Sequence, residues 1–208
     1  MTTELAGFRY RFQPGTDPTL PPLLLLHGTG GDESALLPLG QQVAPGAALL
    51  SPRGRVLENG MPRFFRRLAE GVFDEADLRA QAAALAGFVA AARDAHGLAA
   101  PVALGFSNGA NIAAGLLLLH PGVLAGAALL RAMVPLREPP LAQLAGTPVL
   151  LLAGAADPIV PAANSEALAR GLAQAGATVD HRVLPAGHGL TRPDLELVQG
   201  WLQGLAAA

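Results

Sequence analysis

The length, composition and charge of the chain exclude several classes of protein. The 208 residues suit one domain, 51% are hydrophobic, and the formal net charge of -2 gives no attraction to nucleic acid or to an anionic membrane. All 14 basic residues are arginine and cysteine is absent, which excludes a lysine Schiff base, disulfides, thiolate metal sites and a cysteine nucleophile.

The N-terminal residues and the longest apolar runs indicate where in the cell the protein is expected. Residues 1–12 lack a charged start followed by an apolar core, and no apolar run approaches the ~20 residues that span a bilayer. We therefore expect a soluble cytoplasmic protein with no nucleic-acid or membrane partner. The oligomeric state stays open, and a homodimer is one expectation because two-fold dimers are the commonest oligomers.

Short apolar runs alternate with helical stretches along the chain. The runs that predict strands are 8–12, 22–28, 47–52, 101–106, 126–132, 148–155 and 177–185. The clearest helix begins near Asp74 and is expected to end at a C-cap on Gly97. Further helices are predicted over 109–120, 161–175 and 193–206. The alternation predicts a single α/β domain over residues 1–208, with a mostly parallel sheet, helices on both faces and ligands at the carboxyl ends of the strands.

One serine lies between two glycines, in the sequence GFSNGA over residues 105–110. Ser, Asn and Gly are common in ordinary turns, so a turn is one interpretation. The other is G-x-S-x-G, a nucleophile on a sharp bend, which needs a strand before it and a helix after it. Both flanks are predicted here, and the glycines allow the close backbone approach that a Cβ would block. The context favours Ser107 as a nucleophile.

A serine hydroxyl needs a base to take its proton, and histidine usually serves. His188 lies in the glycine-bracketed loop that follows the last predicted strand, from which it can reach the carboxyl edge of the sheet. The other histidines are His27 at a strand end, His96 and His120 at predicted helix ends, and His181 within a strand. We predict His188 as the base, with a plain loop histidine as the alternative.

The acid that orients the base should follow the serine and precede the histidine in this architecture. Asp157 comes directly after a predicted strand, although a helix cap or a turn aspartate would also suit that place. Asp180 lies within a strand and Asp194 comes after His188, so both fit less well. We predict Asp157.

Two backbone amides are expected to bind the oxyanion of the reaction. One is the amide of Asn108, directly after the serine. The other is the amide of Thr29 in the loop HGTGGDE, whose glycines let the backbone approach a substrate oxygen. A phosphate cradle is the rival interpretation of that loop, but the G-x-x-x-x-G-K-[ST] pattern is missing and the chain has no lysine. We expect no metal and no cofactor.

The motifs HGTGG, GFSNGA, AGAADP and PAGHGL, in this order after predicted strands, resemble the phospholipase/carboxylesterase family of small serine α/β-hydrolases. That family includes bacterial carboxylesterases and acyl-protein thioesterases. The stretches SPRGRVLENGMPRFFRR and FSNGANIA look most like its bacterial branch, which includes hydrolases associated with quinone stress. The resemblance implies an α/β-hydrolase fold with about seven strands and no large lid. It also implies a triad of Ser107, Asp157 and His188, with the amides of Thr29 and Asn108 as the oxyanion hole.

The segment between the strand at 47–52 and the helix at Asp74 is expected to form a pocket wall or short flap. Its predicted substrate contacts are Leu57, Met61, Phe64 and Phe65. Five arginines (53, 55, 63, 66 and 67) also fall here, so we expect a small ester with an anionic end, held by Arg63 or Arg66. The alternative is a solvated face with Phe64 and Phe65 buried in the core.

The function predicted is a serine carboxylesterase that hydrolyses small soluble esters through an acyl-enzyme. One alternative is an acyl thioesterase or lysophospholipase-like hydrolase. Thioesterases of the family usually carry Gln and Leu where this chain has Asn108 and Thr29, which favours the carboxylesterase. The other alternative is a ligand-binding protein on a hydrolase fold, with no turnover.

Overall fold

The computed structural model describes residues 2–206, which form twelve strands and five helices. The strands are β1 (Thr3–Leu5), β2 (Phe8–Gln13), β3 (Leu23–Leu26), β4 (Leu49–Pro52), β5 (Val56–Glu58), β6 (Met61–Arg63), β7 (Arg67–Ala69), β8 (Val72–Phe73), β9 (Val102–Phe106), β10 (Gly126–Leu130), β11 (Pro148–Gly154) and β12 (Thr178–Leu184). The helices are α1 (Leu37–Val43), α2 (Glu75–His96), α3 (Asn108–Leu119), α4 (Ala162–Gln174) and α5 (Arg192–Ala206).

Eight strands form one sheet in the order β1-β2-β4-β3-β9-β10-β11-β12. β2 is antiparallel to both β1 and β4, and the remaining neighbours are parallel. The predicted mostly parallel sheet is therefore confirmed, with one strand more than the seven expected. The additional strand, β1, has three largely exposed residues, so it carries no apolar run that would mark it. The sheet joins strands from both halves of the chain, and the single domain stays a prediction.

The central strands are buried on both faces. In β3, Leu24 and Leu26 pack into the core beneath α2 and α3, whereas Leu23 and Leu25 pack into the core beneath α1 and α5. Two-sided burial explains why this strand is a continuous apolar run rather than an alternating one. The prediction of helices on both faces of the sheet is confirmed.

The ends of helix α2 carry the capping residues that predict them, whereas helix α1 carries none. The Asp74 side chain caps α2 by accepting a hydrogen bond from the Asp77 amide at 3.0 Å, and Gly97 ends the helix with a φ of +64°. Helix α1 was not predicted, because it has seven residues, no side-chain cap and no acidic residue in its first turn. None of the helices within residues 2–206 combines the length and apolarity that crossing a membrane requires.

The parallel strands bring four loops to one edge of the sheet. The loops after β3, β9, β11 and β12 all leave the carboxyl ends of strands that belong to one parallel run, β3-β9-β10-β11-β12. Residues 53–73 follow the carboxyl end of β4 and contain two hairpins, β5–β6 and β7–β8. This two-hairpin segment is the part of the chain predicted to be a flap, and it stands beside the same edge.

Candidate active site

Ser107 lies at a tight bend between β9 and α3. Its backbone adopts a φ of +52° and a ψ of -115°, a strained conformation of the kind that clusters at active sites. A Cβ on Gly109 would lie 1.9 Å from the Leu26 carbonyl oxygen, and one on Gly105 would lie 2.7 Å from the Ala110 Cα. The Ser107 amide donates to the Leu130 carbonyl at 2.9 Å and so ties the bend to β10. The two glycines are required because neighbouring backbone leaves no room for a side chain.

The structure brings Ser107, His188 and Asp157 together. The Ser107 Oγ lies 2.9 Å from the His188 Nε2, and the His188 Nδ1 lies 2.8 Å from the Asp157 Oδ2. The imidazole thus bridges hydroxyl and carboxylate through its two nitrogens, within the reach that proton transfer needs. The three side chains stand in the arrangement that the sequence predicts.

The Asp157 carboxylate is held in a fixed orientation. Its side chain is fully buried, and its Oδ1 accepts hydrogen bonds from the amides of Ile159 at 2.8 Å and Val160 at 3.0 Å. Burial by itself would raise the pKa of Asp157, but these amides and His188 outweigh it and hold the pKa below its ordinary value. The carboxylate is therefore ionised at neutral pH, the state that can orient an imidazole and stabilise its cation.

His27, the histidine at the end of β3, has a different role. Its Nε2 accepts a hydrogen bond from the Gly54 amide at 2.9 Å, so its Nδ1 carries the proton and donates to the Gly28 carbonyl at 2.7 Å. Burial lowers the pKa of His27, which keeps the ring neutral. His27 therefore ties the loop after β3 to the two-hairpin segment.

The amides of Thr29 and Asn108 are both available to a ligand. Asn108 is the first residue of α3, where backbone amides have no intrahelical acceptor, and its side-chain Oδ1 accepts from the Phe64 amide at 2.7 Å. Among the described residues, the Thr29 amide also has no acceptor. Thr29 is held instead by its hydroxyl, which accepts from the Arg63 Nη1 at 2.7 Å. Both residues line the cavity that contains Ser107.

A cavity of about 330 Å³ opens at Ser107 and His188. Its apolar wall combines residues that follow β10 and β11 with the last residue of β9 and one residue of β8. These apolar residues are Phe73, Phe106, Met133, Ile159 and Val160. Its polar wall includes Asn111, Arg63, Arg67 and Glu70. Within residues 2–206, no group of three or more His, Asp or Glu side chains is placed to hold a metal ion.

The four residues predicted as substrate contacts do not line this cavity. Phe64 and Phe65 are 2% and 0% exposed, because their rings turn into the core, where they pack against His27 and Phe73. Leu57 and Met61 are 68% and 41% exposed on the β5–β6 hairpin. The alternative interpretation of the two phenylalanines, as core residues, describes where they lie.

Some arginines of the two-hairpin segment line the cavity, and others lie away from it. Arg63 is buried, and both Arg63 and Arg67 form ion pairs with Glu58, at 3.0 and 2.9 Å. Arg66 is 62% exposed and pairs with Asp74 at 2.9 Å, so it lies away from the cavity. Of the two arginines predicted to hold an anionic end, only Arg63 lines the cavity, and the neighbouring Arg67 takes the place foreseen for Arg66.

Residues that follow the strands account for three of the five apolar residues of the cavity wall. Ile159 and Val160 come just after Asp157, and Met133 comes just after β10. The rule that located the triad, that ligands bind at the carboxyl ends of strands, would have found them. Phe73 and Asn111 belong to β8 and α3, and no local pattern in the sequence marks them as facing the serine.

A serine on a strand-to-helix bend, followed in chain order by its aspartate and histidine, is how ester hydrolases of the α/β-hydrolase fold are built. This chain is a serine ester hydrolase of that fold. Within that class it belongs to the phospholipase/carboxylesterase family, whose sequence model matches residues 11–205.

Relatives of the chain agree with this assignment. It is 46% identical over 195 residues to the hydrolase MhqD of Bacillus subtilis, a match that covers 93% of this chain and 96% of MhqD. A carboxylesterase structure from Bacillus cereus is 48% identical, with a TM-score of 0.92 over 95% of this chain and 94% of that one. One from Mesorhizobium loti is 41% identical, with a TM-score of 0.92 over 97% of each chain.

Proposed function

We propose that this protein is a carboxylesterase that hydrolyses small soluble carboxylic esters through an acyl-enzyme intermediate on Ser107. The observation that carries the proposal is the unbroken pairing from Ser107 through His188 to Asp157 at the mouth of a cavity. The two carboxylesterase structures and the family support the class of reaction. The predicted cytoplasmic location and homodimer stay predictions.

Acylation begins when the Ser107 Oγ attacks the ester carbonyl carbon. The hydroxyl proton passes to the His188 Nε2 as the new bond forms, and Asp157 stabilises the imidazolium through Nδ1. The carbonyl oxygen becomes an oxyanion, which the amides of Thr29 and Asn108 bind. The tetrahedral intermediate then expels the alcohol, which takes the proton from His188, and the acyl group stays on Ser107.

Deacylation repeats these steps with water as the nucleophile. His188 removes a proton from the water as its oxygen attacks the acyl carbonyl, and the same two amides bind the second oxyanion. Collapse of this intermediate releases the carboxylic acid, and His188 returns its proton to the Ser107 Oγ. The enzyme is restored without any change in oxidation state.

The shape of the site favours small substrates. The cavity of about 330 Å³ lies at the lower end of the volumes usual for ligand sites. The two-hairpin segment forms one wall, and within residues 2–206 no longer connection follows a strand of the sheet. We therefore expect hydrolysis of soluble substrates without activation at a lipid interface.

A panel of p-nitrophenyl esters and acyl thioesters of increasing chain length tests the substrate class. We expect kcat/KM to be highest for short acyl oxygen esters and to fall as the chain outgrows the cavity. A preference for emulsified long-chain triglyceride would contradict the proposal, and higher kcat/KM for thioesters would favour the thioesterase. A ligand-binding protein would show only stabilisation by the ligand, with no turnover.

We extend the proposal to esters with an anionic end, which Arg67 would hold. The Arg67 Nε donates to Glu58, and among the described residues its two Nη groups have no acceptor. Arg67 lines the cavity and is 30% exposed, so a substrate carboxylate can reach it. Arg63 suits this role less well, because its Nη1 and Nε already hold Thr29 and the Phe65 carbonyl.

Replacing Arg67 with glutamine should raise KM for anionic esters by about two- to fivefold, as for one partly exposed charge pair. KM for neutral esters should stay close to that of the wild type. Arg66→Gln is the matched control, since Arg66 lies on the same segment but away from the cavity. Steady-state kinetics on a matched pair of neutral and anionic p-nitrophenyl esters measures the effect. An equal rise for both esters would count against an anionic substrate.

A further inference from the structure

Arg131 is a buried cation in an unusual backbone position. It follows β10 with a φ of +58°, a left-handed conformation that large side chains rarely adopt. Its side chain has no exposed surface, and its amide donates to the Leu152 carbonyl at 2.9 Å. A buried guanidinium in a strained backbone position indicates that its contacts determine where it lies.

Every N–H of the Arg131 guanidinium has an acceptor. The Nε donates to the Gly187 carbonyl at 2.9 Å, and the Nη2 donates to the Gly189 carbonyl at 3.1 Å. The Nη1 and Nη2 also bind the two Asp194 carboxylate oxygens, at 2.7 and 2.9 Å. The second Nη1 proton points to the Leu152 carbonyl at 3.4 Å. Because a guanidinium has five N–H donors, none is left for a substrate.

Two of these contacts lie on either side of His188. Gly187 and Gly189 are its neighbours in the chain, so one guanidinium holds the carbonyl before the imidazole and the carbonyl after it. The loop before them is held by backbone alone, through the bond from the Ala156 amide to the Ala186 carbonyl at 3.0 Å. Arg131 thus holds the two backbone carbonyls that flank His188.

Asp194 completes the arrangement from the start of α5. Its side chain is fully buried, and its Oδ2 accepts from both the amide and the hydroxyl of Thr191, each at 2.7 Å. Burial would raise the pKa of Asp194, but Arg131 and Thr191 outweigh it and lower the pKa, which keeps the carboxylate charged. Hydrogen bonds from Thr191 to Asp194 therefore hold the C-terminal end of the His188 loop at the N-terminus of α5.

We propose that Arg131 is a positioning residue for the base, which it acts on through the carbonyls of Gly187 and Gly189 and through Asp194. It keeps the His188 Nε2 at 2.9 Å from the Ser107 Oγ. Arg131 borders the cavity, but its side chain has no exposed surface and no free N–H to offer a substrate. A displacement of the base by about 1 Å is enough to lower the rate by about a hundredfold. We call the contacts of Arg131 with Gly187, Gly189 and Asp194 the clamp, and its loss should slow the chemical step. The inference rests on the proposed function of His188.

Arg131→Lys tests the clamp while it keeps the buried charge. A lysine ammonium can pair with Asp194, but it is a compact point charge that cannot bracket both carbonyls. We expect this variant to fold, with kcat for p-nitrophenyl acetate lowered about 10- to 100-fold and KM little changed. Second-order labelling of Ser107 by a fluorophosphonate should slow by a similar factor, because that reaction also needs the base.

The double variant Arg131→Met/Asp194→Leu removes both buried charges, so it keeps the interior neutral if the lysine variant fails to fold. It should lose kcat to a similar extent. Leu85→Ala is the control for general destabilisation, because it opens a cavity in the core beneath α2, away from the His188 loop. This control should lower Tm and leave kcat unchanged at a temperature where it is folded.

Unchanged kcat and labelling in both folded variants would overturn the inference. A rise in KM confined to an anionic ester would also overturn it, because Arg131 would then bind substrate. If kcat falls as much in Leu85→Ala as in Arg131→Lys, the loss of activity comes from general destabilisation, and the inference is overturned. If Ser107→Ala keeps its turnover, the proposed function fails; if only the Arg131 variants behave as wild type, the clamp alone is wrong.

Discussion

The Ser107→Ala variant should fold as the wild type does and lose nearly all esterase turnover, with kcat lowered by about 10⁴- to 10⁶-fold. The Ser107 Oγ is the atom proposed to attack the ester, and its one side-chain hydrogen bond within residues 2–206 is to His188. The backbone bond from residue 107 to the Leu130 carbonyl survives the change, so the bend after β9 is retained. Initial rates with p-nitrophenyl acetate, with Tm measured alongside, give the two quantities.

Ser34→Ala is the matched control for this loss. Ser34 lies before α1 and away from the cavity, so its hydroxyl has no part in the proposed reaction. This control should keep the wild-type kcat and KM. Turnover in Ser107→Ala within about tenfold of the wild type would contradict the assignment of the nucleophile, because an activated serine accounts for far more than that.

Replacing Asp157 with asparagine should have the second largest effect, with kcat lowered by about 10⁴-fold. The Asp157 Oδ1 accepts from the amides of Ile159 and Val160, so the oxygen of an asparagine side chain must remain there. Its NH₂ group then faces the His188 Nδ1, where the carboxylate Oδ2 now lies. That group donates to Nδ1 and moves the imidazole proton to Nε2. In this tautomer the imidazole cannot accept the proton of Ser107.

Asp180→Asn is the control for the loss of one carboxylate. Asp180 lies on β12 and forms a surface ion pair with Arg182 at 2.6 Å, away from the cavity. The control should keep wild-type kinetics, and Asp157→Asn should keep the fold, because the two backbone bonds to residue 157 are preserved. A kcat for Asp157→Asn equal to that of the control would show that the carboxylate does not orient the base.

Ser107, Asp157 and His188 could be brought together from the sequence because each comes within four residues of the end of a strand. Ser107, Asp157 and His188 come after β9, β11 and β12, and parallel strands present their carboxyl ends at one edge. The glycines around Ser107 mark the bend, and the chain order gives the role of each residue. Strand topology, the glycine bend and the chain order together therefore predict that these side chains lie at one edge of the sheet.

The part of the cavity wall that the two-hairpin segment forms could not be predicted in the same way. Phe64 and Phe65 are adjacent in the chain, yet both rings are buried, because the two-hairpin segment is irregular and does not alternate between solvent and core. The registers of β5–β6 and β7–β8 decide which side chains face Ser107, and these very short strands carry no periodic pattern. The predicted contacts at Leu57 and Met61 failed for the same reason.

The Arg131–Asp194 pair was missed although part of its signal is local. Thr191 and Asp194 match [ST]-x-x-[DE] before an apolar run, a pattern that predicts a helix start. That pattern places Asp194 at the beginning of α5. The partner of this carboxylate lies 63 positions earlier in the chain, and only the pairing of β10 with β11 brings Arg131 beneath the His188 loop.

Covalent labelling tests the central claim of the account most directly. The wild-type protein, treated with a fluorophosphonate and digested, should carry one phosphonyl group on the peptide that contains Ser107, found there by tandem mass spectrometry. The Ser107→Ala variant should carry none. Equal labelling of that variant, or a label on another residue of the wild-type chain, would contradict the claim that Ser107 is the nucleophile.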